Sequence, residues 1–144
     1  MAILYYAEDV KIPSIPKRET TKWVKEVVSK YKLIVGNVSY VFCSDEYILE
    51  INRKYLQHDY YTDIITFDYR NNLIISGDIF ISVDTVKSNA DKFRVSFEEE
   101  LYRVIIHGIL HLCGINDKTD EQQAEMTKQE NEALALRIDV FERK

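Results

Sequence analysis

The chain is poor in the residues that punctuate or staple a fold. Among its 144 residues are four Gly, two Pro, two Cys, three His and one Trp. So little Gly and Pro excludes collagen-like, linker-like and low-complexity architectures. Two cysteines, Cys43 and Cys113, make no disulfide framework. Both sit in apolar segments and are expected to be buried thiols, as suits a reducing cytoplasm. No apolar run approaches the ~20 residues that span a bilayer. The start, Met-Ala-Ile-Leu-Tyr-Tyr, lacks the basic region and small-residue cleavage site of a secretory signal. The expectation is a cytoplasmic protein with no membrane partner.

An excess of positive charge is missing too. The net charge is −5, which argues against broad electrostatic affinity for nucleic acid. The deficit is localised. Residues 96–144 carry six Lys/Arg against eleven Asp/Glu, and the first 95 residues balance at 13 of each. A path for RNA is therefore expected on the first two thirds of the chain.

What is present reads as one domain, 1–144, large enough to bury a core. Apolar and aromatic residues predict strands at 3–7, 38–43, 64–67 and 77–82. Turns are expected at Gly36-Asn37 and Asn71-Asn72. A stripe of Trp23, Val24, Val27 and Val28 predicts a helix over 17–31. Ser44-Asp45 caps a helix running to Leu56, and a further helix spans 83–93. Ser96 and Glu99 form a capping box before an almost wholly apolar helix. Thr119 or Asp120 caps a last helix, with Ala124, Leu134 and Ile138 among its expected buried positions. The order β-α-β-α-β-β-α-α-α predicts an α+β fold: a small mixed β-sheet with helices packed mainly on one face.

The chemistry concentrates at the end of the apolar helix, in His107-Gly-Ile-Leu-His111-Leu-Cys-Gly114-Ile-Asn-Asp117. Residues four apart lie on one helical face, and Gly114 lets the chain turn back. His107, His111 and Asp117 are thus the expected metal ligands, at the end of a central helix. Two imidazoles and one carboxylate leave a coordination position open, the mark of a catalytic rather than a structural zinc site. The same donors suit iron and related ions. The plain alternative is two hydrogen-bonded, inert histidines on a half-buried helix; the glycine and the carboxylate beyond it weigh against that.

The spacing is similar to the metzincin zinc site, in which a Glu follows the first His and serves as the base. Here that position is Gly108, which has no proton acceptor, so peptidase chemistry is disfavoured. A closer resemblance is to the YbeY family of metal-dependent endoribonucleases. His107, Gly108, Leu110, His111, Leu112 and Gly114 match its motif, with Asp117 in place of its third His. Ile51-Asn52 with Tyr55, Thr62-Asp63-Ile64-Ile65-Thr66-Phe67 and Gly77-Asp78-Ile79 are similar to further family segments, in the same order.

That resemblance implies a zinc-dependent single-strand endoribonuclease acting in 16S rRNA 3′-end maturation and ribosome quality control, with ribosomal RNA and the ribosome as partners. The resemblance also implies an Arg serving the RNA phosphate, which many family members carry where Leu56 stands here. Arg53, one turn earlier, is the expected phosphate clamp, because a guanidinium donates paired hydrogen bonds; His58, if protonated, could also supply the charge. A fourth-ligand role for His58 is an outside reading. Thr62 and Asp63 are expected to brace the loop before their strand, and Asp78 to orient a metal-binding His or a backbone turn. Two alternatives stay in view: a metallohydrolase of another class, such as a peptidase recruiting Asp78 as base, and a non-catalytic ribosome-associated metal-binding protein.

Overall fold

In the computed structural model, which describes residues 2–57 and 62–142, alternating apolar residues build four strands: β1 (Ile3–Glu8), β2 (Ile34–Cys43), β3 (Ile64–Asp68) and β4 (Ile74–Ser82). They form a mixed sheet in the order β1-β2-β4-β3. The β1–β2 and β2–β4 pairs are parallel, and β3 runs antiparallel to β4 at the edge. Five helices accompany them: α1 (Lys17–Ser29), α2 (Asp45–Ile51), α3 (Val83–Phe93), α4 (Phe97–Leu112) and α5 (Asp120–Glu142). The predicted α+β fold, with its small mixed sheet and central helix, is what the chain forms.

Strand alternation gives the sheet two unlike faces. Ile3, Val38, Tyr40, Phe42, Ile79 and Ile81 point to one side and join the main core with α1, α4 and α5. Trp23 of α1 lies at the centre of this core, and its indole N–H donates to the Ala133 carbonyl of α5 at 2.8 Å. The opposite face carries a smaller cluster, in which Cys43 and Ile65 of the sheet are buried with Ile48 of α2.

Three local expectations need correction. Gly36-Asn37 is not a turn but lies inside β2, at the register shift between Val35 and Val38. A side chain at Gly36 would strike Ser76 and Ile74 of β4, so glycine serves here as a close-packed bulge residue. The helix expected to reach Leu56 ends as an α-helix at Ile51 and continues as a π turn, Asn52–Leu56. In α5 the buried positions are Met126, Glu130, Ala133 and Val140; Ala124 and Ile138 are exposed and Leu134 is half-buried. Two charged residues, Glu130 and Arg137, fall on the inward side of α5 and hide its stripe. The Arg137 guanidinium lies over the Tyr102 ring, 4.2 Å from its centroid, an arrangement that favours a cation inside an apolar stripe.

Candidate metal centre

Helix α4 begins at Ser96, whose hydroxyl accepts from the Glu99 amide at 3.0 Å. Ten of its sixteen residues are buried. It lies so close to the sheet that a Cβ at Gly108 would sit 3.0 Å from both Ile64 and Ile79. The position that carries the base in metzincins is therefore a tight contact with the sheet, where any side chain would have to push Ile64 and Ile79 aside. At the far end the chain reverses. Gly114 takes a φ of +97°, and the Ile115 amide donates to the Leu110 carbonyl at 3.1 Å. This reversal carries Asp117 back over the helix end.

Asp117 Oδ2 comes to rest 3.3 Å from Nε2 of His107. Two ligands of a tetrahedral zinc, each ~2.0–2.2 Å from the ion, are separated by about 3.3–3.5 Å. The pair thus stands at the spacing of two corners of such a site. His111 lines the same cleft. Among the described residues no three His, Cys, Asp or Glu groups close into a complete ligand cluster: the structure joins His107 to Asp117 and sets His111 beside them.

The residue that orients His107 comes from α5, and sequence reasoning missed it. Nδ1 of His107 lies 2.7 Å from Oε2 of the buried Glu130. An imidazole held at Nδ1 by a carboxylate presents Nε2 outward, as histidine ligands of metal sites commonly do. The other oxygen of Glu130 accepts from Arg103 at 2.8 Å, and Arg103 also donates to Asn131 at 2.9 Å. Burial works against the charged ring of His107. The Glu130 hydrogen bond and the charges of Glu130, Asp117 and Asp63 outweigh it, and the pKa is raised above the ordinary histidine value. These donors suit a divalent cation.

The cleft has a volume of about 410 Å³ and includes Asp63, Thr66, Glu100 and Arg103 besides the three expected ligands. Burial pushes the Asp63 carboxyl above its usual range, although the charge of His107 opposes the shift. Glu100 is raised by burial and by the charge of Asp63. The loop role expected of residues 62 and 63 is also present: Ser82 donates its amide to the Asp63 carbonyl at 2.9 Å, and Thr62 donates to the Ile64 carbonyl at 3.3 Å.

Other expected residues lie elsewhere. Asp78 is on the opposite face of the sheet, where its Oδ2 accepts from the Tyr69 hydroxyl at 3.2 Å. It does not reach His107, whose ring is held by Glu130 instead. Arg53 is exposed on the π turn and is not among the residues lining the cleft; the guanidinium there belongs to Arg103. His58 lies outside the described residues. Both cysteines are free thiols, pushed up to about 12 chiefly by burial, which makes them inert.

Comparison with known proteins agrees with this layout. Residues 5–137 match the model of the family described as Endoribonuclease YbeY. The chain belongs to the YbeY endoribonuclease family. It is 59% identical over 137 residues to Endoribonuclease YbeY of Bacteroides fragilis, covering 95% of this chain and 99% of that one. It is 61% identical over 134 residues to the Phocaeicola vulgatus protein of the same name, covering 93% and 97%. The solution structure of TM1509 from Thermotoga maritima superposes with a TM-score of 0.65 at 29% identity, covering 93% of this chain and 90% of that one. The chain is thus an endoribonuclease, a hydrolase whose substrate is RNA. No helix among the described residues is long and apolar enough to cross a membrane.

Proposed function

We propose that this endoribonuclease is zinc-dependent and cuts single-stranded RNA, acting in 16S rRNA 3′-end maturation and ribosome quality control in the cytoplasm. The observation that carries the metal reading is the spacing of His107 and Asp117, with the ring of His107 held from behind by Glu130. His107, His111 and Asp117 would hold the ion. Zinc, when bound, acidifies water toward a pKa of ~7 and polarises a phosphoryl oxygen.

The protein's own groups supply the rest. Glu130 fixes the imidazole tautomer that leaves Nε2 as a donor of electrons. Asp63, on the cleft wall, is the group positioned to take the proton of the attacking oxygen, and burial has already raised its proton affinity. This is the usual tuning of a general base. Arg103, anchored by Glu130 and Asn131, presents its guanidinium to the cleft and would bind the scissile phosphate. Arg53, on the exposed turn, would contact the RNA backbone outside the cleft. Peptidase chemistry is disfavoured by the lack of a base at Gly108, a position packed tightly against Ile64 and Ile79.

The test pairs elemental analysis of the purified protein with cleavage of single-stranded and duplex RNA, with and without chelator. One equivalent of zinc is expected, with cleavage of the single strand lost on chelation. His107→Ala and His111→Ala should lose metal; normal metal content in both would refute the site. Asp63→Asn should keep the metal and cut at least 100-fold more slowly. Arg103→Ala should reduce cleavage more than Arg53→Ala; the reverse result would return the clamp to Arg53.

A further inference from the structure

The face of the sheet turned away from the metal centre carries a second concavity, of about 330 Å³, walled by aromatic rings. Phe67 and Phe80 form its floor, edge to face with centroids 5.8 Å apart. Tyr55 of the π turn meets Phe67 edge to face at 5.9 Å, and Tyr47 of α2 stacks against Phe80 at 6.4 Å. Tyr69 completes the wall. Two of these rings are largely open to solvent: Tyr55 is 57% exposed and Tyr69 59%. Asp78 lies among them, its Oδ2 receiving the Tyr69 hydroxyl.

From this arrangement we infer that the groove is a base-binding subsite for an unpaired guanine of the substrate strand. Aromatic rings displayed on a sheet bind unpaired bases by stacking. A carboxylate is acceptor-only and can take two parallel N–H bonds. Guanine presents such a pair on its Watson–Crick edge, at N1 and the exocyclic amine. Inosine lacks the exocyclic donor and adenine lacks the N1 donor.

Continuity with the metal centre argues for RNA as the occupant. β3 supplies both sites: Ile64 and Thr66 line the metal cleft, while Phe67 enters the groove. β3 is also the edge of the sheet, so a strand crossing that edge reaches both. Charge agrees. Lys54 lies 5.3 Å from the Tyr55 ring centroid, beside the exposed Arg53. The groove belongs to the charge-balanced first 95 residues, not to the acidic remainder.

The inference rests on the substrate being unpaired, so its test measures binding apart from cleavage. Fluorescence anisotropy of labelled single-stranded ribo-oligonucleotides, each with one guanosine or with inosine or adenosine in its place, is measured on the full chain with and without zinc. Tyr69→Ala should weaken binding of the guanosine oligonucleotide roughly tenfold and raise KM in step, leaving kcat unchanged. Tyr69→Phe should retain most of the affinity. Asp78→Asn should abolish the preference for guanosine over inosine. A 6-thioguanosine placed in the oligonucleotide should crosslink to the peptide containing Tyr69.

Unchanged Kd in Tyr69→Ala and Asp78→Asn with an unchanged melting temperature would overturn the inference and leave the groove to some other partner. If Tyr69→Ala fails to fold, the base preference of Asp78→Asn and the crosslink decide. Absence of cleavage with guanosine-selective binding intact would instead count against the proposed reaction and not against the groove.

Discussion

Glu130 is the residue that ties the cleft together, reaching it from α5 with a largely buried carboxylate. One of its oxygens holds the ring of His107 and the other holds Arg103. Removing the charge while keeping the shape, in Glu130→Gln, should weaken zinc binding about 10- to 100-fold, as measured by competition with a chelating dye. A variant with wild-type affinity would show the contact to be incidental. The raised pKa of His107 sets a direction with pH. Protons and metal compete for the ring, so zinc uptake should begin to fail above the pH at which an ordinary histidine would protonate. In the metal-free protein, the stability contributed by the protonated ring is fully present below the ordinary histidine pKa. It is lost as pH rises through the raised folded-state value. Glu130→Gln should shrink that dependence, as read from melting temperature against pH.

At the scale of elements, the decisive fact is how closely α4 lies against the sheet. Gly108→Glu would install the residue that metzincins carry, yet its Cβ already meets Ile64 and Ile79. Overpacking of this kind costs about 1–3 kcal/mol, and a buried carboxylate adds to it. The expected result is a melting temperature lower by roughly 5–10 °C and no gain of peptidase activity. A variant as stable as the parent would mean that α4 can lift away from the sheet.

Legibility in the sequence divides along the same line between local and distant. His107, His111 and Asp117 lie within eleven residues, so helix periodicity and one reversal at Gly114 bring Asp117 to His107 and set His111 in the same cleft. The caps at Ser44 and Ser96 are similarly local. Glu130 and Arg103 were not legible, because their roles arise only when α5 packs across α4. The available signal was a carboxylate at a position where the stripe of Met126, Ala133 and Val140 calls for an apolar residue. The start of β2 was hidden because Gly36-Asn37 reads as a turn unless the close approach of β4 is known. Strand parity separates Asp78 from His107: its neighbours Gly77 and Ile79 face inward, so Asp78 faces the other side of the sheet.

For the molecule as a whole, the terminal helix is both a structural wall and part of the candidate metal centre. α5 is tied to α1 by the Trp23–Ala133 hydrogen bond and to α4 by Glu130. Trp23→Phe removes that buried hydrogen bond while the Ala133 carbonyl keeps its place in the helix ladder, a loss of about 0.5–1.5 kcal/mol. It should also weaken zinc binding, because α5 carries the brace of His107. Equal zinc affinity in the variant would show that the wall and the brace are independent. Ligand binding stabilises the state that binds it, by about 2.7 kcal/mol at a hundredfold excess over Kd. Zinc should therefore raise the melting temperature of the parent chain, and His111→Ala should abolish that rise.

β3 is only five residues long, yet its odd and even members serve opposite sides of the protein. A slip of one residue against β4 would turn Ile64 and Thr66 outward and bring Ile65 and Phe67 inward. The floor of the metal cleft and the ring that anchors the aromatic groove would then be exchanged in a single step. A one-residue insertion or deletion at the start of this strand should therefore abolish hydrolysis and oligonucleotide binding together, which no single substitution on either face can do.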